Sequence, residues 1–307
     1  MKQIRLGSSE FMVPPIAVGC MRINSLGEAE AERFVEKALE LGANFFDHSD
    51  VYGMGRCEEI FAKAVHMTPS VREKLILQSK CGILKNPARY DFSKKHILEA
   101  VDGILSRLET EYLDILLLHR PDALMEPEEV AEAFDILHST GKVRHFGVSN
   151  QNPMQMQLLQ KYLHQKILVN QLQFSIMHPY MASAGINVNM VNDSAVNRDG
   201  SVLDYCRLND ITIQAWSPFQ YGFFEGVFIG NEKFPELNKK LDEIAEKYGV
   251  TSTTIAVAWI LRHPAHMQAI SGTMKPGRLE EICKAADITL TREEWYEIYT
   301  AAGNVIP

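Results

Sequence analysis

Short apolar runs recur along the chain, and helical patterns lie between most of them. Each run is about five residues long, rich in Ile, Leu, Val and Phe, and continuous rather than alternating with polar residues. Strands that are covered on both faces have this composition, so the runs predict buried parallel strands. The eight predicted strands are IAVGC (16–20), ANFFD (43–47), LILQS (75–79), LDILLLH (113–119), VRHFGVS (143–149), ILVNQ (167–171), ITIQAW (211–216) and HMQAIS (266–271).

Helical periodicity and capping residues mark the segments between these strands. Residues 93–109 carry an apolar stripe with helical spacing, which predicts an amphipathic helix. Asn152–Pro153 predicts a helix start, because Asn caps well and Pro fits the first helical position. Gly249 predicts a helix end, and Thr291 with Glu294 predicts a capping box. The stripe consists of Ile97, Ala100, Val101, Ile104, Leu105 and Leu108.

Eight strands that alternate with helices in one chain of 307 residues predict a (β/α)₈ TIM barrel, an α/β fold. An open nucleotide-binding sheet is the alternative, but no G-x-G-x-x-G follows an early strand. We therefore expect residues 1–307 to form a single barrel domain.

Three segments depart from the regular alternation. Residues 1–15 predict a β-hairpin with a GSS turn, which could plug the bottom of the barrel. Residues 172–200 and 217–235 are long loops, and both follow predicted strands. They should therefore project at the C-terminal face, where barrel enzymes have their sites.

Composition narrows the class of protein further. The chain is 46% hydrophobic and 23% charged, which excludes a disordered chain. With 31 Lys and Arg against 39 Asp and Glu, the formal net charge is −8. An acidic surface disfavours nucleic acid as a partner, although a local basic patch could still hold one small anionic ligand.

The chain shows no sign of a membrane span, a secretory signal or a metal site. No segment reaches the roughly 18 apolar residues of a span, and the start MKQIRLGSSE has no apolar signal stretch. The five cysteines are scattered and odd in number, so neither a disulfide framework nor zinc-ligand spacing is present. We expect a cytoplasmic protein without membrane contact, and its oligomeric state is not readable.

Ionisable side chains stand at the ends of three consecutive predicted strands. Asp47 ends the second, Lys80 follows the third directly, and His119 ends the fourth, while Tyr52 lies five residues after Asp47. Each residue alone has an ordinary explanation as a solvated charge, a loop-stabilising group or a rim aromatic. Four such residues on neighbouring strands make that explanation improbable and indicate one site.

The four groups are also chemically complementary. A Tyr with its ordinary pKa of about 10 is a poor proton donor at neutral pH. We expect the Lys80 ammonium to lower the pKa of Tyr52 and Asp47 to keep Lys80 charged. His119 could hold a carbonyl oxygen beside the phenol. The set suits protonation of an alkoxide that forms from a carbonyl.

The motifs that carry this set resemble those of the aldo-keto reductase superfamily, and the resemblance covers essentially the whole chain. The longer sequence segments around these motifs are similar to those of a branch of bacterial oxidoreductases that includes the YdhF-like proteins. The matching motifs, in order, are DHSDVYG, SKCGI, LLLHRPD, GKVRHFGVSN, NQLQFS, AWSPF and ISGTMKPGR.

The resemblance implies a NAD(P)H-dependent oxidoreductase that reduces aldehydes or ketones to alcohols, or runs the reverse reaction. Asp47, Tyr52, Lys80 and His119 would be the catalytic tetrad, with Tyr52 as the general acid. The cofactor would be NADPH, with NADH as the alternative, and it would lie extended across the barrel mouth.

The resemblance also assigns cofactor contacts. Ser149, Asn150 and Gln171 would bind the nicotinamide carboxamide, and Trp216 would stack on its ring, although Trp216 alone is equally compatible with a core role. The remaining implied contacts are Cys20, Met21 and Arg22 near the nicotinamide ribose, Ser217, Pro218, Phe219 and Gly222 at the pyrophosphate, and Gly272, Thr273, Lys275, Arg278 and Glu281 around the adenosine 2′-phosphate.

Several positions depart from the usual pattern of that family. His48 stands where Thr is commoner, and Ser271 where Pro is frequent. Ile282 occupies a position where many members have an adenine-facing Asn, which weakens the preference for NADP over NAD. Arg22 could also meet a substrate carboxylate or serve only as a solvated charge.

Two other functions fit the residues less well. A Schiff-base lyase or aldolase would use Lys80 as nucleophile, but Asp47 should keep that amine protonated. A cofactor-sensing regulatory subunit is the third alternative. Each would take a small-molecule ligand.

Overall fold

The computed structural model describes all 307 residues and contains a closed barrel of eight parallel strands, which confirms the predicted (β/α)₈ TIM barrel. Each strand pairs with its sequence neighbours, and the last pairs with the first. In chain order the barrel strands are β1 (Ile16–Gly19), β2 (Phe45–Asp47), β3 (Ile76–Cys81), β4 (Leu113–Leu118), β5 (Val143–Ser149), β6 (Ile167–Gln173), β7 (Thr212–Trp216) and β8 (Gln268–Ser271).

A helix follows each barrel strand. These barrel helices are α1 (Glu28–Glu40), α2 (Arg56–Ala64), α3 (Lys94–Arg107), α4 (Pro127–Ser139), α5 (Pro153–Gln160), α6 (Val202–Leu208), α7 (Ser252–Leu261) and α8 (Pro276–Lys284). Further α-helices span Pro69–Arg72, Tyr180–Ile186, Pro235–Tyr248 and Arg292–Ala301, and 3₁₀ turns span Cys20–Ser25, Tyr52–Gly55, Asp193–Ala195 and Ala285–Asp287. None of these helices combines the length and apolar character needed to cross a bilayer.

The predicted helix caps are present. The Asn152 side chain accepts a hydrogen bond from the backbone of Gln155 at 3.0 Å, which starts α5. Thr291 and Glu294 form the expected capping box. Gly249 ends the helix Pro235–Tyr248 in the left-handed conformation at φ 65°. The helix ends that the sequence predicts are therefore present, and contacts between nearby residues stabilise them.

The N-terminal hairpin closes the bottom of the barrel, as predicted. Its two short strands are Ile4–Arg5 and Met12–Val13. Leu6 and Val13 are fully buried in a cluster that contains residues from most barrel strands. Apolar burial of this kind stabilises the fold by about 25 cal/mol per Å². The hairpin therefore acts as the floor of the barrel, and the functional groups lie at the opposite end.

The two long loops lie beyond the carboxyl ends of their strands, but neither is without regular structure. The segment 172–200 contains the helix Tyr180–Ile186, whose Ser183 hydroxyl lies 2.9 Å from the Tyr299 hydroxyl. In 217–235, a short hairpin pairs Gln220–Tyr221 with Gly226–Val227. Both loops thus border the C-terminal face of the barrel.

Candidate active site

The four ionisable residues from the sequence pattern converge at the C-terminal face. Asp47 ends β2, Lys80 lies in β3, His119 follows β4, and Tyr52 begins the 3₁₀ turn after β2. The Lys80 ammonium lies 2.8 Å from Asp47 Oδ2 and 3.2 Å from the Tyr52 hydroxyl. The rings of Tyr52 and His119 are perpendicular, with centroids 5.8 Å apart. The adjacency of β2, β3 and β4 thus brings the four groups together.

Lys80 is completely buried and is held as an ammonium ion. Its third hydrogen bond goes to the backbone oxygen of His48 at 2.7 Å, so each of its three donors has an acceptor. Burial lowers the pKa of Lys80, but the contacts with Asp47 and Tyr52 outweigh burial, and the pKa is raised above its ordinary value. The Lys80 charge is therefore retained over the physiological pH range.

The pKa of Tyr52 differs from the expected one. Burial raises the pKa of the Tyr52 hydroxyl, and the nearby Lys80 charge lowers it by less, so the pKa lies above its ordinary value. The expectation of a lowered pKa is therefore wrong for the protein by itself, because sequence spacing does not reveal how thoroughly a phenolate would be dehydrated. Lys80 by itself lowers the pKa of Tyr52, as expected.

A network of glutamines holds Asp47 from inside the barrel. Gln78 and Gln171 donate to Asp47 Oδ1 at 2.6 and 3.1 Å. Gln214 accepts from both glutamines and donates to Gln268 at 2.8 Å. The sequence analysis included Gln171 but missed Gln78, Gln214 and Gln268. Each is an amide inside a buried strand, which is the signal that could have identified them.

His119 is a neutral imidazole in this setting. Burial lowers the pKa of His119 well below its ordinary value, and the charges of Lys80 and Arg120 add to the effect. Its Nδ1 lies 3.0 Å from the hydroxyl of buried Ser49, which is the one hydrogen bond that the ring makes within the protein, so Nε2 makes none. Ser49 is another residue that the sequence analysis missed. The free Nε2 is thus the atom of His119 that a ligand could meet.

Four of the implied nicotinamide-binding residues form a connected group beside the tetrad. Asn150 donates to Ser149 Oγ at 2.7 Å, and Trp216 donates to Asn150 Oδ1 at 3.3 Å. Ser149 in turn donates to the backbone oxygen of Gln171 at 3.0 Å. Because Gln171 also contacts Asp47, this group adjoins the tetrad directly.

The donors and acceptors of this group that have no partner in the protein match those of a carboxamide. Both amide hydrogens of Gln171 are used, for Asp47 and Gln214, which leaves its Oε1 as an acceptor. Asn150 Nδ2 spends one hydrogen on Ser149 and keeps the other. A carboxamide both donates and accepts, so one free acceptor and one free donor match it. The ring of Trp216 is partly exposed next to them.

The segment implied for the pyrophosphate follows Trp216 directly. Ser217 and Gly222 have left-handed backbone angles, φ 53° and 59°, while Pro218 is buried and Phe219 packs on the core. These features fix a turn at the barrel mouth. The exposed rings of Phe223 and Phe224 then contact Trp216, with centroids 6.4 and 6.1 Å from it.

The implied 2′-phosphate residues lie at the start of α8. Lys275 and Arg278 are exposed and form no ion pair, and the first turn of the helix contains no acidic residue. Cations are normally disfavoured at a helix N-terminus, so this arrangement fits a bound anion. Thr273 Oγ1 accepts from the backbone N–H of Lys275 at 3.2 Å. Glu281 is half-buried one helical turn further on.

The residues after β1 divide into two groups. The Cys20 thiol is buried and donates to the backbone oxygen of Val18 in β1, so a ligand would meet its backbone rather than its sulfur. Met21 and Arg22 are exposed, and Arg22 donates to the backbone oxygen of Gly272 at 3.4 Å. Arg22 therefore joins the loop after β1 to the loop after β8. The structure contains no group of three or more His, Cys, Asp or Glu side chains placed to hold a metal ion.

A cavity of about 760 Å³ opens beside the candidate nicotinamide-binding residues Asn150 and Trp216. Arg120, Asn150 and Trp216 line it together with residues of the 172–200 loop. This volume suits a small organic molecule. Residues of the 172–200 loop therefore form much of the cavity wall.

A closed parallel barrel with Asp, Tyr, Lys and His converging at its C-terminal face is the architecture of a barrel oxidoreductase that acts on a small molecule. The family comparison agrees, because the model described as "Aldo/keto reductase family" matches residues 15–302. The chain belongs to the aldo/keto reductase family, and it is an oxidoreductase enzyme. The family supports carbonyl reduction as the reaction class and uses nicotinamide cofactors generally.

Curated relatives span the same length and confirm the predicted resemblance. The uncharacterized oxidoreductase YcsN of Bacillus subtilis is 35% identical, with 100% of both chains covered. The oxidoreductase YdhF of Escherichia coli is 34% identical, covering 88% of this chain and 86% of YdhF. The 6-dehydroglucose reductase of Agrobacterium fabrum is 31% identical, with 98% of each chain covered.

A solved structure gives the same result for the fold. The thermostable aldo-keto reductase Tm1743, crystallised with the inhibitor epalrestat, superposes with a TM-score of 0.79 and is 25% identical. The match covers 98% of this chain and 100% of Tm1743. The barrel is therefore that of the family.

Proposed function

We propose that the protein is an NADPH-dependent oxidoreductase that reduces aldehydes or ketones to alcohols, or runs the reverse alcohol oxidation. The observation that carries the proposal is the Tyr52 hydroxyl, which lies 3.2 Å from the Lys80 ammonium and beside the free Nε2 of His119. When bound, the nicotinamide ring supplies or accepts the hydride. The residues of this chain supply the proton and the orientation.

The tetrad divides the proton chemistry among its members. Tyr52 donates its phenolic proton to the oxygen of the reacting carbonyl, which typically accelerates such steps by roughly 10²- to 10⁴-fold. Lys80 stabilises the resulting phenolate, and Asp47 holds Lys80 in position through the 2.8 Å ion pair. His119 orients the carbonyl oxygen through Nε2. Since all four side chains are held by buried contacts, little reorganisation is needed during the reaction.

Residues at two ends of the mouth would hold the cofactor. Ser149, Asn150 and Gln171 offer the free donor and acceptor that a carboxamide requires, and Trp216 offers a ring face. At the other end, unpaired Lys275 and Arg278 favour a phosphorylated ribose, which supports NADPH over NADH. The loop from Ser217 to Gly222 would lie between these two ends, at the pyrophosphate. Gly272, Thr273 and Glu281 would lie around the 2′-phosphate together with Lys275 and Arg278.

The experiment is a panel of carbonyl compounds and alcohols, followed at the nicotinamide absorbance band with NADPH and NADH in parallel. Two relatives are named 6-dehydroglucose reductases, so an aldehyde-bearing sugar belongs in the panel. We expect Tyr52→Phe to abolish reduction and to leave NADPH affinity nearly unchanged, because the phenol acts mainly in the transition state. Wild-type turnover by Tyr52→Phe would refute the role of Tyr52.

Two alternative functions, a Schiff-base lyase and a cofactor-sensing subunit, can be distinguished from the reductase. Lys80 as a Schiff-base nucleophile requires a free amine, whereas its three hydrogens are committed to acceptors. Borohydride trapping of a substrate on Lys80 would support that lyase. Tight NADPH binding without turnover of any compound in the panel would instead support a cofactor-sensing subunit.

We further propose that residues 1–307 act as one domain in the cytoplasm. One cluster of 69 buried residues extends from Ile16 to Tyr299, which supports a single unit. The five cysteines are all free and buried, as expected in a reducing compartment.

A further inference from the structure

The loop between Asp47 and Tyr52 contains a second chain of polar contacts, which the tetrad alone does not explain. Ser49 is fully buried, and its hydroxyl lies 3.0 Å from His119 Nδ1. The same hydroxyl lies 3.3 Å from Asp50 Oδ1 and 3.4 Å from the backbone oxygen of Lys80. Ser49 has one hydrogen to donate, so these three acceptors compete for it.

The competition decides which nitrogen of His119 carries the proton. A carbonyl oxygen accepts hydrogen bonds, so His119 can orient it only when Nε2 is protonated. Nδ1 must then accept, and the Ser49 hydroxyl is its donor. When Ser49 instead donates to Asp50, its oxygen accepts from a protonated Nδ1, and Nε2 faces the substrate as a bare acceptor.

We propose that Ser49 and Asp50 are positioning residues that set the tautomer of His119, with neutral Asp50 selecting the tautomer that serves carbonyl reduction. A protonated Asp50 donates to Ser49 Oγ and directs the Ser49 hydrogen to His119 Nδ1. An ionised Asp50 draws the Ser49 hydrogen to itself. The inference rests on the proposed reductase function for its role in turnover, but not for the tautomer itself.

The surroundings of Asp50 make its ionisation sensitive to pH near neutrality. Burial raises the pKa of Asp50 to about 7, and the Glu58 carboxylate adds to the effect. The Ser49 hydroxyl, the Arg107 guanidinium and the backbone N–H of Val51 lower the pKa by less. The buried thiol of Cys81 also faces Asp50 and holds its own proton, because burial raises its pKa well above the ordinary value.

The charges that face His119 keep it neutral in both states of Asp50. Lys80 and Arg120 are cations, and the Tyr52 ring contacts it edge-on. Since the imidazole stays neutral, a change at Asp50 moves its proton between two nitrogens rather than adding one. Below about pH 7 the Nε2–H tautomer should dominate, and above that pH the Nδ1–H tautomer should increase.

The test reads the tautomer directly, by NMR of the ¹⁵N-histidine-labelled protein without substrate at about pH 6 and about pH 8. A His119→Gln variant assigns the signal. We expect wild-type His119 to carry its proton on Nε2 at the lower pH and to shift toward Nδ1 at the higher pH. Asp50→Asn, which is neutral at both pH values and can donate to Ser49 through its amide nitrogen, should keep the proton on Nε2 at both.

Two further variants complete the comparison. Ser49→Ala removes the connection, so the pH response of His119 should disappear. Asp102→Asn, an exposed carboxylate on α3, should leave the wild-type response unchanged. An identical His119 pH response in wild type, Ser49→Ala and Asp50→Asn would overturn the proposal, as would a wild-type tautomer that is the same at both pH values.

Kinetics give the second measurement. For a carbonyl that the wild type reduces, kcat of Asp50→Asn should match wild type at about pH 6 and exceed it at about pH 8. Ser49→Ala should lose about tenfold in kcat with KM for NADPH unchanged, which corresponds to one hydrogen bond. Because the tautomer is read without turnover, failure of the reductase function would show in the Tyr52→Phe assay and leave the NMR result intact.

Discussion

Lys80 joins Asp47 to Tyr52, because its ammonium donates a hydrogen bond to each of them. The Lys80 side chain has no solvent exposure, and Asp47 is nearly as buried. Two opposite charges at 2.8 Å in such a place stabilise each other, but each is costly without its partner. Catalytic and structural effects of these residues can therefore be separated by removing one charge or both.

We expect Lys80→Met to lower kcat for carbonyl reduction by roughly 10²-fold or more, because Tyr52 loses its stabilising cation. The variant should also lose about 3–5 kcal/mol in the free energy of unfolding, since Asp47 is left buried and unpaired. The double variant Asp47→Asn/Lys80→Met should recover much of that stability and none of the activity. Urea unfolding and steady-state kinetics on the three proteins check this. An active double variant would show that the cation is dispensable.

Arg278 should determine the preference between the two coenzymes. Arg278→Ala is expected to raise the Kd for NADPH about tenfold or more, because a charge-assisted contact with the 2′-phosphate is lost. The Kd for NADH should change little. Lys284→Ala, at the other end of α8, is the matched control and should leave both unchanged. Fluorescence titrations measure these constants, and equal effects on both coenzymes would exclude a role in phosphate recognition.

The sequence was most informative for residues whose position follows from strand topology. Asp47, Lys80 and His119 could be placed together because carboxyl ends of neighbouring parallel strands meet at one edge. The contacts of Gln78, Gln214 and Ser49 could not be predicted in this way. Their hydrogen-bond partners come from distant parts of the chain and are brought close only when the barrel is closed. The raised pKa of Tyr52 was missed for the same reason, since burial depends on the complete fold.

At the scale of elements, the hairpin under the barrel depends on close contact between two backbones. Gly7 has φ 53°, and its N–H donates to Thr212 Oγ1 at 2.7 Å. A Cβ at this position would lie 2.5 Å from the backbone oxygen of Leu168, which cannot move without shifting β6. The hairpin can therefore close the barrel only with glycine at this turn.

Gly7→Ala should accordingly destabilise the protein beyond the cost of the left-handed backbone angle. Gly42→Ala is the control, because Gly42 has φ 75° but nothing within 4 Å of an added Cβ. We expect about 1–2 kcal/mol for Gly42→Ala from backbone strain alone, and a clearly larger loss for Gly7→Ala. Urea unfolding of both variants measures the difference. Equal losses would mean that the contact with Leu168 relaxes at no cost.

The predicted strands agree with the observed ones to within about two residues at each end, because continuous apolar runs and buried parallel strands coincide. The two long loops were located correctly, but their internal structure was not foreseen. The helix Tyr180–Ile186 contacts the Tyr299 hydroxyl through Ser183, and Tyr299 lies 116 residues beyond Ser183 in the chain. Local sequence patterns carry no information on a contact of that kind.

For the whole molecule, buried neutral histidines link stability to pH. Burial lowers the pKa of His48 to about 3, with a smaller contribution from Lys80, and lowers the pKa of His178 and His263 to about 4. The unfolded chain restores the ordinary value of about 6.5, so the unfolded state binds more protons below that pH. Acid therefore favours unfolding, and the contribution of each histidine is fully present above about pH 6.5.

His48 offers the sharpest test, because both of its ring nitrogens are buried without a hydrogen-bond partner and its ring packs on Phe61 at 4.5 Å. Between about pH 6.5 and about pH 3, wild-type stability should fall by up to about 1.4 kcal/mol per pH unit more than that of His48→Leu. At about pH 7, His48→Leu should be at least as stable as wild type, since it removes two unsatisfied polar atoms. His138→Leu, an exposed substitution on α4, should keep the wild-type slope. Urea unfolding across this range measures the slopes, and parallel curves for wild type and His48→Leu would show that His48 gains a proton in the folded state as readily as in the unfolded one.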